Sequence, residues 1–222
     1  MLTAAVVDPQ TQPSPGGSWR ARRAKGLIGI ALTTALAAAL WYAIRFNAPI
    51  ADGMEDLAAR LVFALKCSAL VVLFTLLTGV SAVAHERLVS PAFDPLAGHE
   101  TRRMRVNQRY LQNTLEQTVI FLVGLFGLAA YMKDGDQMRA VLASAVVWTI
   151  GRLAFWAGYH VSATWRALGA PSMLLGQLVL GYVCLRVGHD LAGDAGAWSV
   201  LAAYLLFEAL LFWTTRAKPV EP

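Results

Sequence analysis

The sequence predicts an all-α membrane protein, and two observations carry that prediction. Of the 222 residues, 57% are hydrophobic and 15% are charged, whereas soluble domains are about 45–50% apolar and about 25% charged. A helix needs about 20 residues to cross the hydrocarbon core, and six apolar segments meet or approach that length. They are residues 26–46, 59–84, 110–132, 139–160, 171–187 and 197–213. The last two are the shortest, so a tight helical hairpin that crosses only partly is an alternative for them.

The two ends of the chain are predicted to lie in the cytoplasm. Residues 1–25 are expected to form a disordered basic tail, because their first part is rich in Pro, Gln, Ser and Gly, and residues 214–222 a second tail. This orientation leaves twelve Lys and Arg residues inside and four outside, as membrane proteins favour. A cleaved signal peptide in the first segment is an alternative that leaves the other five segments unchanged. The basic residues therefore indicate topology, and no nucleic-acid partner is expected.

A polar stripe begins just before the third apolar segment. Arg109, Asn113 and Glu116 stand at positions i, i+4 and i+7, so on a helix they share one face. Charged groups are costly in lipid and occur mostly where they line a site or a protein interior. The stripe is therefore predicted to hold a small charged ligand.

A second stripe lies on the fourth apolar segment and continues beyond its end. Arg152, Tyr159 and Arg166 are seven residues apart each time, so they lie along one slowly drifting helix face. If the helix continues past residue 160, Arg152 and Arg166 are ~21 Å apart along its axis. The third and fourth helices run in opposite directions, which puts Glu116 and Tyr159 at similar depths, ~10 Å from the cytoplasmic surface. The two stripes are predicted to converge on one cleft that opens toward the cytoplasm.

The residue types indicate what such a cleft would bind. Arg109 and Arg166 can hold carboxylates in the fork geometry of guanidinium, while Glu116 can accept from an ammonium group and Asn113 can bond an amide. Glutathione has two carboxylates, one amine and two amides, and it matches this set. An arginine beside its thiol would also favour the thiolate, which is the nucleophilic form. The alternative is that Glu116 pairs with an arginine only to fix helix packing.

Both stripes resemble the motifs of a known family. The R-x-x-x-N-x-x-E pattern from Arg109 to Glu116 is similar to the most recognisable motif of MAPEG, the membrane-associated proteins of eicosanoid and glutathione metabolism. The stripe from Arg152 through Tyr159 to Arg166 is similar to its second motif. The resemblance covers residues 59–187, and it implies a MAPEG-like four-helix transmembrane bundle. Residues 26–46 and 197–213 are then one extra N-terminal and one extra C-terminal apolar helix.

The resemblance also implies an activity and a set of site residues. It implies a homotrimer in a bacterial inner membrane, acting as a glutathione transferase or peroxidase on lipophilic small molecules or lipids from the bilayer. Glutathione would lie between neighbouring subunits near the cytoplasmic side. Its binding residues would be Arg109, Asn113, Glu116 and Tyr159, with Arg166 stabilising the thiolate and Arg152 in a structural role.

The chain departs from the family pattern at several positions. Phe155 stands where a ligand-binding tyrosine is expected, Gln117 stands where the synthase branch has an aromatic residue, and only His85 and Arg87 represent the basic residues at the end of the first core helix. These departures keep open a non-catalytic lipid-binding protein of the same fold. A small transporter with an intramembrane charge relay is a third possibility, against which the lack of inverted repeats counts. No zinc, haem or Walker motif is present, so no metal is expected.

Overall fold

The structure is a bundle of membrane-length helices. The computed structural model describes residues 19–162 and 164–215, and every regular element in those ranges is helical. Within them the α-helices are α1 Trp19–Asn47, α2 Leu57–Val72, α3 Thr78–Val89, α4 Arg102–Tyr131, α5 Gly135–Val161 and α6 Ala170–Thr214. A π-helical turn, Leu73–Leu77, joins α2 to α3, and 3-10 turns follow α3 at Pro91–Phe93 and α5 at Trp165–Gly169. Five helical units in the described ranges are long and apolar enough to cross a membrane, which confirms the predicted all-α membrane class.

Helix α1 begins seven residues before its predicted start. It runs from Trp19 rather than from Gly26, so the prediction of a disordered tail over residues 1–25 is wrong from residue 19 onward. The physical reason is local composition, because Arg, Ala and Lys all favour helix. Residues 1–18 lie outside the described residues, as does nearly all of the predicted C-terminal tail, residues 216–222.

Helix α1 is attached to α5 by polar contacts near its Asn47 end. The indole Nε1 of Trp41 donates to the Ser144 hydroxyl at 3.0 Å. One turn further on, Arg45 Nη2 lies 3.0 Å from Asp136 Oδ2, while Arg139 Nη1 lies 3.0 Å from the other oxygen of the same carboxylate. The helix that the resemblance left without a role is therefore fixed to the bundle.

The core of the bundle lies between α2, α4, α5 and the first part of α6. The rings of Phe121 and Trp148 stack with their centroids 4.7 Å apart, and both side chains are fully buried. Gly124 lets α6 approach closely, because a Cβ there would lie 3.0 Å from the main-chain nitrogen of Leu180. Small residues are the usual means of such close packing in membranes.

Helix α4 begins well before the apolar segment that predicted it. Its first residue is Arg102 rather than residue 110, and Thr101 caps it by accepting at 2.9 Å from the Met104 amide. Helix α3 likewise runs on to Val89. The connection between α3 and α4 is therefore much shorter than the gap between the second and third predicted segments. Arg109 lies seven residues inside α4, or ~10 Å along its axis, rather than at its start.

Helix α6 contains both of the last two predicted segments. Ala192 and Gly193 leave the helical conformation, and Gly193 has a φ of 59° in the left-handed region that suits glycine. Gly188 and Gly196 lie against each other although they are eight residues apart, so the chain reverses between them. The result is a tight hairpin of two legs, residues 170–191 and 194–214, each about 30 Å long. Both legs are longer than the 17 residues predicted for each.

Candidate functional site

The first stripe lies on α4 as an accessible face. Arg109 and Glu116 are exposed, and Asn113 is half-buried. The neighbouring Gln112 donates through Nε2 to Glu116 Oε1 at 3.4 Å. Among the residues that the structure describes, no carboxylate lies within 4.0 Å of Arg109 and no cation lies within that distance of Glu116. The charges of this stripe are therefore available to a ligand.

Arg152 on α5 is the buried member of the site. Its side chain is 2% exposed, and its Nη2 donates to Asn113 Oδ1 and to Thr114 Oγ1, both at 2.8 Å. The guanidinium carbon also lies 4.6 Å from the ring centroid of Phe155. Arg152 thus connects α5 to α4. The carbonyl oxygen of Asn113 accepts from Arg152, and the amide nitrogen of Asn113 has no hydrogen-bond partner among the described residues.

Aromatic side chains follow Arg152 along α5. The Phe155 ring lies 6.2 Å from the buried Tyr110 ring of α4 and 5.7 Å from the Tyr159 ring one turn further along α5. Tyr159 is half-buried. This row of rings forms one wall between the buried Arg152 and the end of the helix.

Arg166 reaches the site from a turn rather than from a continuation of α5. The helix ends at Val161, so the condition for the ~21 Å separation of Arg152 and Arg166 does not hold. The turn Trp165–Gly169 packs back on α5, because Gly158 lies against the Trp165 carbonyl and Gly169 against Phe155. A side chain at either glycine would prevent this packing.

The consequence for Arg166 is a position beside the aromatic wall. Its guanidinium carbon lies 5.9 Å from the centroid of the Tyr159 ring. The side chain is exposed, and no carboxylate of the described residues lies within 4.0 Å of it. Arg166 is therefore a second cation at the site that is free to meet a ligand.

All seven residues singled out by the sequence line one cavity of about 920 Å³. They are Arg109, Asn113, Glu116, Arg152, Phe155, Tyr159 and Arg166. The cavity is also lined by residues that sequence reasoning missed, among them Gln112, Thr164 and Met173, and Gly26 and Ile30 of α1. Gln112 had a detectable signal, because it precedes Glu116 by one helical turn on the same face. Gly26 and Ile30 of α1 had none, since neither carries a polar side chain.

A second cavity, of about 490 Å³, is apolar and lies along α1 beyond the first. Its walls come from α1, α5 and the first leg of α6, and they include Ala38, Trp41, Val147, Leu174 and Leu178. On α1 the residues that line the two cavities, from Gly26 and Ile30 to Thr34 and Ala38, follow one another at four-residue steps. They form one continuous side of the helix. The structure therefore has a polar cleft with an apolar groove along the same helix.

The fold and the cleft together define an integral membrane protein of the helical-bundle class with a polar ligand cavity. A family model described as the MAPEG family matches residues 61–188. The match covers more than half of the chain, so the chain belongs to the MAPEG family, as its two motifs predicted. Searches of curated proteins and of solved structures find no match to the chain. Helix α1 and the second leg of α6 lie outside the matched residues.

Proposed function

We propose that this protein is a membrane-bound glutathione transferase or peroxidase that acts on lipophilic electrophiles. The observation that carries the proposal is one cavity lined by an amide, a carboxylate, a tyrosine and two arginines that have no ion pair among the described residues. Its volume of about 920 Å³ lies in the range of roughly 300–1,000 Å³ that small-molecule sites occupy. Membership of the MAPEG family fits a glutathione-related function in broad terms.

The contacts of each side chain support a role for it in holding glutathione. Arg109 and Arg166 are exposed and without ion pairs in the described part of the chain, so each can bind a carboxylate or the thiolate. Glu116 can accept from the ammonium group. Asn113 gives its carbonyl oxygen to Arg152, so its amide nitrogen is the group that can donate to a peptide carbonyl. Tyr159 can donate its hydroxyl.

The proposed chemistry requires a thiolate next to a cation. Arg166, exposed and beside Tyr159, is the residue that would stabilise the thiolate, because a neighbouring positive charge favours the ionised form. In the transferase reaction the thiol proton goes to water and the thiolate sulfur forms a bond with an electrophilic carbon. In a substitution the leaving group departs with its bonding electron pair, and in an addition to an activated double bond the displaced π pair takes up a proton from water. In the peroxidase reaction two glutathiones reduce a hydroperoxide to an alcohol and water and leave as the disulfide.

The apolar groove along α1 supports a lipophilic acceptor that enters from the bilayer. Its walls are almost entirely hydrocarbon and aromatic, with Trp41, Leu174 and Leu178 among them. A molecule lying there would have one end directed along α1 toward Gly26 and Ile30, which line the polar cleft. An acceptor with a long apolar part and a reactive end matches this geometry.

The proposal includes the assembly and location that the family implies. We expect a homotrimer in a bacterial inner membrane, with both termini cytoplasmic. Large apolar side chains cover the outer side of α2, among them Leu65 at 58% and Leu70 at 56% exposure. Contact with lipid or with another copy would satisfy them.

A non-catalytic lipid-binding protein of the same fold is the second candidate. Two observations favour it: the apolar groove, and Phe155, which offers no hydroxyl to a ligand at a wall of the cleft where the family has a tyrosine. Such a protein would take lipid into the groove and would not activate a thiol.

One experiment separates the two candidates. The full-length protein in detergent is mixed with glutathione, while thiolate absorbance in the ultraviolet and binding by equilibrium dialysis are recorded in parallel. For the enzyme, Arg166→Ala should abolish the thiolate signal but keep measurable binding, and Arg109→Ala or Glu116→Ala should weaken binding itself. Arg186→Ala is the matched control, because that arginine lies over Tyr131 at the other end of α4.

The outcomes are distinct. If wild-type protein binds no glutathione, the enzyme proposal is wrong while the fold and family stand. If Arg166→Ala conjugates a model electrophile at the wild-type rate, glutathione is activated by some other residue and the role given to Arg166 is wrong.

A further inference from the structure

Three arginines line a third cavity, and only one of them, Arg109, has a role in the proposed reaction. Arg102, Arg105 and Arg109 stand at i, i+3 and i+7 on α4, so they share one face. They surround a space of about 490 Å³ between the beginning of α4 and the end of α5. The remaining lining residues are Val106, Tyr159, Val161 and Ser162. We call this space the arginine pocket, and among its lining residues there is no carboxylate.

The positive charges of the arginine pocket are not neutralised by the described part of the chain. Arg102 Nη1 donates to the main-chain carbonyl of His160 at 3.0 Å, and Arg105 Nη1 donates to that of Glu100 at 3.1 Å. Both acceptors are neutral, and no carboxylate of the described residues lies within 4.0 Å of any of the three guanidinium groups. Three like charges around one space repel one another unless an anion enters it.

The neighbouring Arg103 shows that this arrangement is not a general property of the basic run. Its side chain turns away from the pocket, and its Nε lies 3.2 Å from Glu86 Oε2. The same carboxylate accepts from the Thr101 hydroxyl through its other oxygen at 2.8 Å. One arginine of the run thus has its counter-ion within the protein, whereas the three that line the pocket do not.

Several features of the pocket favour a tetrahedral oxyanion. Guanidinium groups bind phosphate oxygens through paired hydrogen bonds, and the hydroxyls of Tyr159 and Ser162 can add neutral donors. The pocket lies between the N-terminal end of α4 and the C-terminal end of α5. The two helix dipoles oppose each other there, so the arginine side chains supply the positive charge. Because α4 is long and apolar enough to cross a membrane, we expect this end near a membrane surface, where phosphates of anionic lipids are concentrated.

We propose that the arginine pocket is a binding site for an organic phosphate, supplied either by the head group of an anionic phospholipid or by a soluble phosphate ester. The proposal can be tested apart from the glutathione activity through Arg102 and Arg105, which do not line the larger cleft. Arg109 and Tyr159 line both cavities. An occupied pocket would therefore alter the charge that the neighbouring cleft presents to its own ligand.

The test compares lipid retention between variants of the full-length protein. Protein in a nonionic detergent is incubated with phosphatidic acid, with phosphatidylglycerol or, as a neutral reference, with phosphatidylcholine, then washed, and bound lipid is counted by native mass spectrometry. Wild-type protein should retain the anionic lipids at least tenfold more than phosphatidylcholine. Arg102→Gln combined with Arg105→Gln should remove most of that preference, and Arg103→Gln, the matched control, should change it less than twofold.

A second arm identifies the source of the phosphate. Glycerol 3-phosphate and inorganic phosphate are titrated calorimetrically into the same protein. If lipid is retained and the soluble probes do not bind, the ligand of the pocket is a lipid head group. If glycerol 3-phosphate binds to wild-type protein and not to the double Gln variant, the ligand is a soluble phosphate ester. The double variant Arg102→Lys with Arg105→Lys keeps both positive charges but lacks the guanidinium fork, so it should retain part of the preference for anionic lipids. It also shows whether the double Gln variant loses binding only because it misfolds. The proposal is overturned if no probe binds, or if the double Gln variant binds as wild type does.

Discussion

The two ends of the large cleft use arginine in opposite ways. At its deep end Arg152 is 2% exposed and is held by hydrogen bonds to Asn113 and Thr114. At its open end Arg166 is exposed, and its guanidinium carbon lies 5.9 Å from the centroid of the Tyr159 ring. Arg152 is held through its Nη2, while its buried Nε has no hydrogen-bond partner among the described residues. A cation held in this way links two helices, whereas an exposed cation without an ion pair is free to stabilise a ligand. Burial and partners thus separate two residues that the sequence shows as members of one stripe.

The sharpest way to break this comparison is to remove each arginine in turn. Arg152→Ala deletes two hydrogen bonds, leaves their acceptors unsatisfied and empties space beside Phe155, so it should cost about 2–4 kcal/mol of unfolding free energy. Arg166→Ala should change that free energy by about 0.5 kcal/mol or less. Both are measured by unfolding in mixed detergent micelles followed by circular dichroism. Equal losses, or an Arg152→Ala protein more stable than wild type, would contradict the distinction.

A smaller effect is expected from the glycine that holds the Arg166 turn in place. In Gly169→Ala the new methyl group would overlap the side chain of Phe155, which should cost about 1–3 kcal/mol. Gly181→Ala is the matched control, because a Cβ there meets nothing within 4 Å and should stabilise the helix by up to about 1 kcal/mol. The same unfolding assay measures both. A Gly169→Ala protein as stable as the Gly181→Ala protein would mean that the turn is not packed against α5 as described.

The smallest effect is expected from restoring a hydroxyl to the wall between the two arginines. Phe155→Tyr should leave the unfolding free energy within about 0.5 kcal/mol of wild type. It should tighten glutathione binding by about 2–10-fold, which corresponds to one additional hydrogen bond. Equilibrium dialysis measures the affinity, with Phe46→Tyr, a substitution at the far end of α1, as the control. Unchanged or weaker binding would mean that this wall does not contact the ligand.

Much of the site could be predicted from helical periodicity. The spacing of Arg109, Asn113 and Glu116 fixes a shared face on any helix, and the structure has that helix. Periodicity does not identify the neighbour across from a face. The hydrogen bond from Arg152 to Thr114, and the lining of the cleft by Gly26 and Ile30, depend on tertiary packing that a single sequence does not reveal.

The errors in the fold prediction have a common physical cause. Hydropathy marks only the part of a helix that is apolar, whereas the helix itself continues until its backbone meets a cap or a break. Helix α4 therefore starts at its cap Thr101. The reversal in α6 occurs at Gly193, whereas hydropathy left a wider gap between the predicted segments 171–187 and 197–213. The predicted end of the fourth segment, residue 160, agrees with the end of α5 at Val161, whereas the conditional continuation toward Arg166 does not occur.

The lining of the cleft by α1 has a consequence for how the protein can be divided. The family segment, residues 61–188, contains every charged side chain of the cleft, but Gly26 and Ile30 belong to a helix outside it. Grafting that segment alone into another scaffold would transfer the reactive groups and leave one side of their chamber open to lipid. The smallest portable unit of this site therefore starts at α1, because a helix outside the family match forms part of the wall of the cleft.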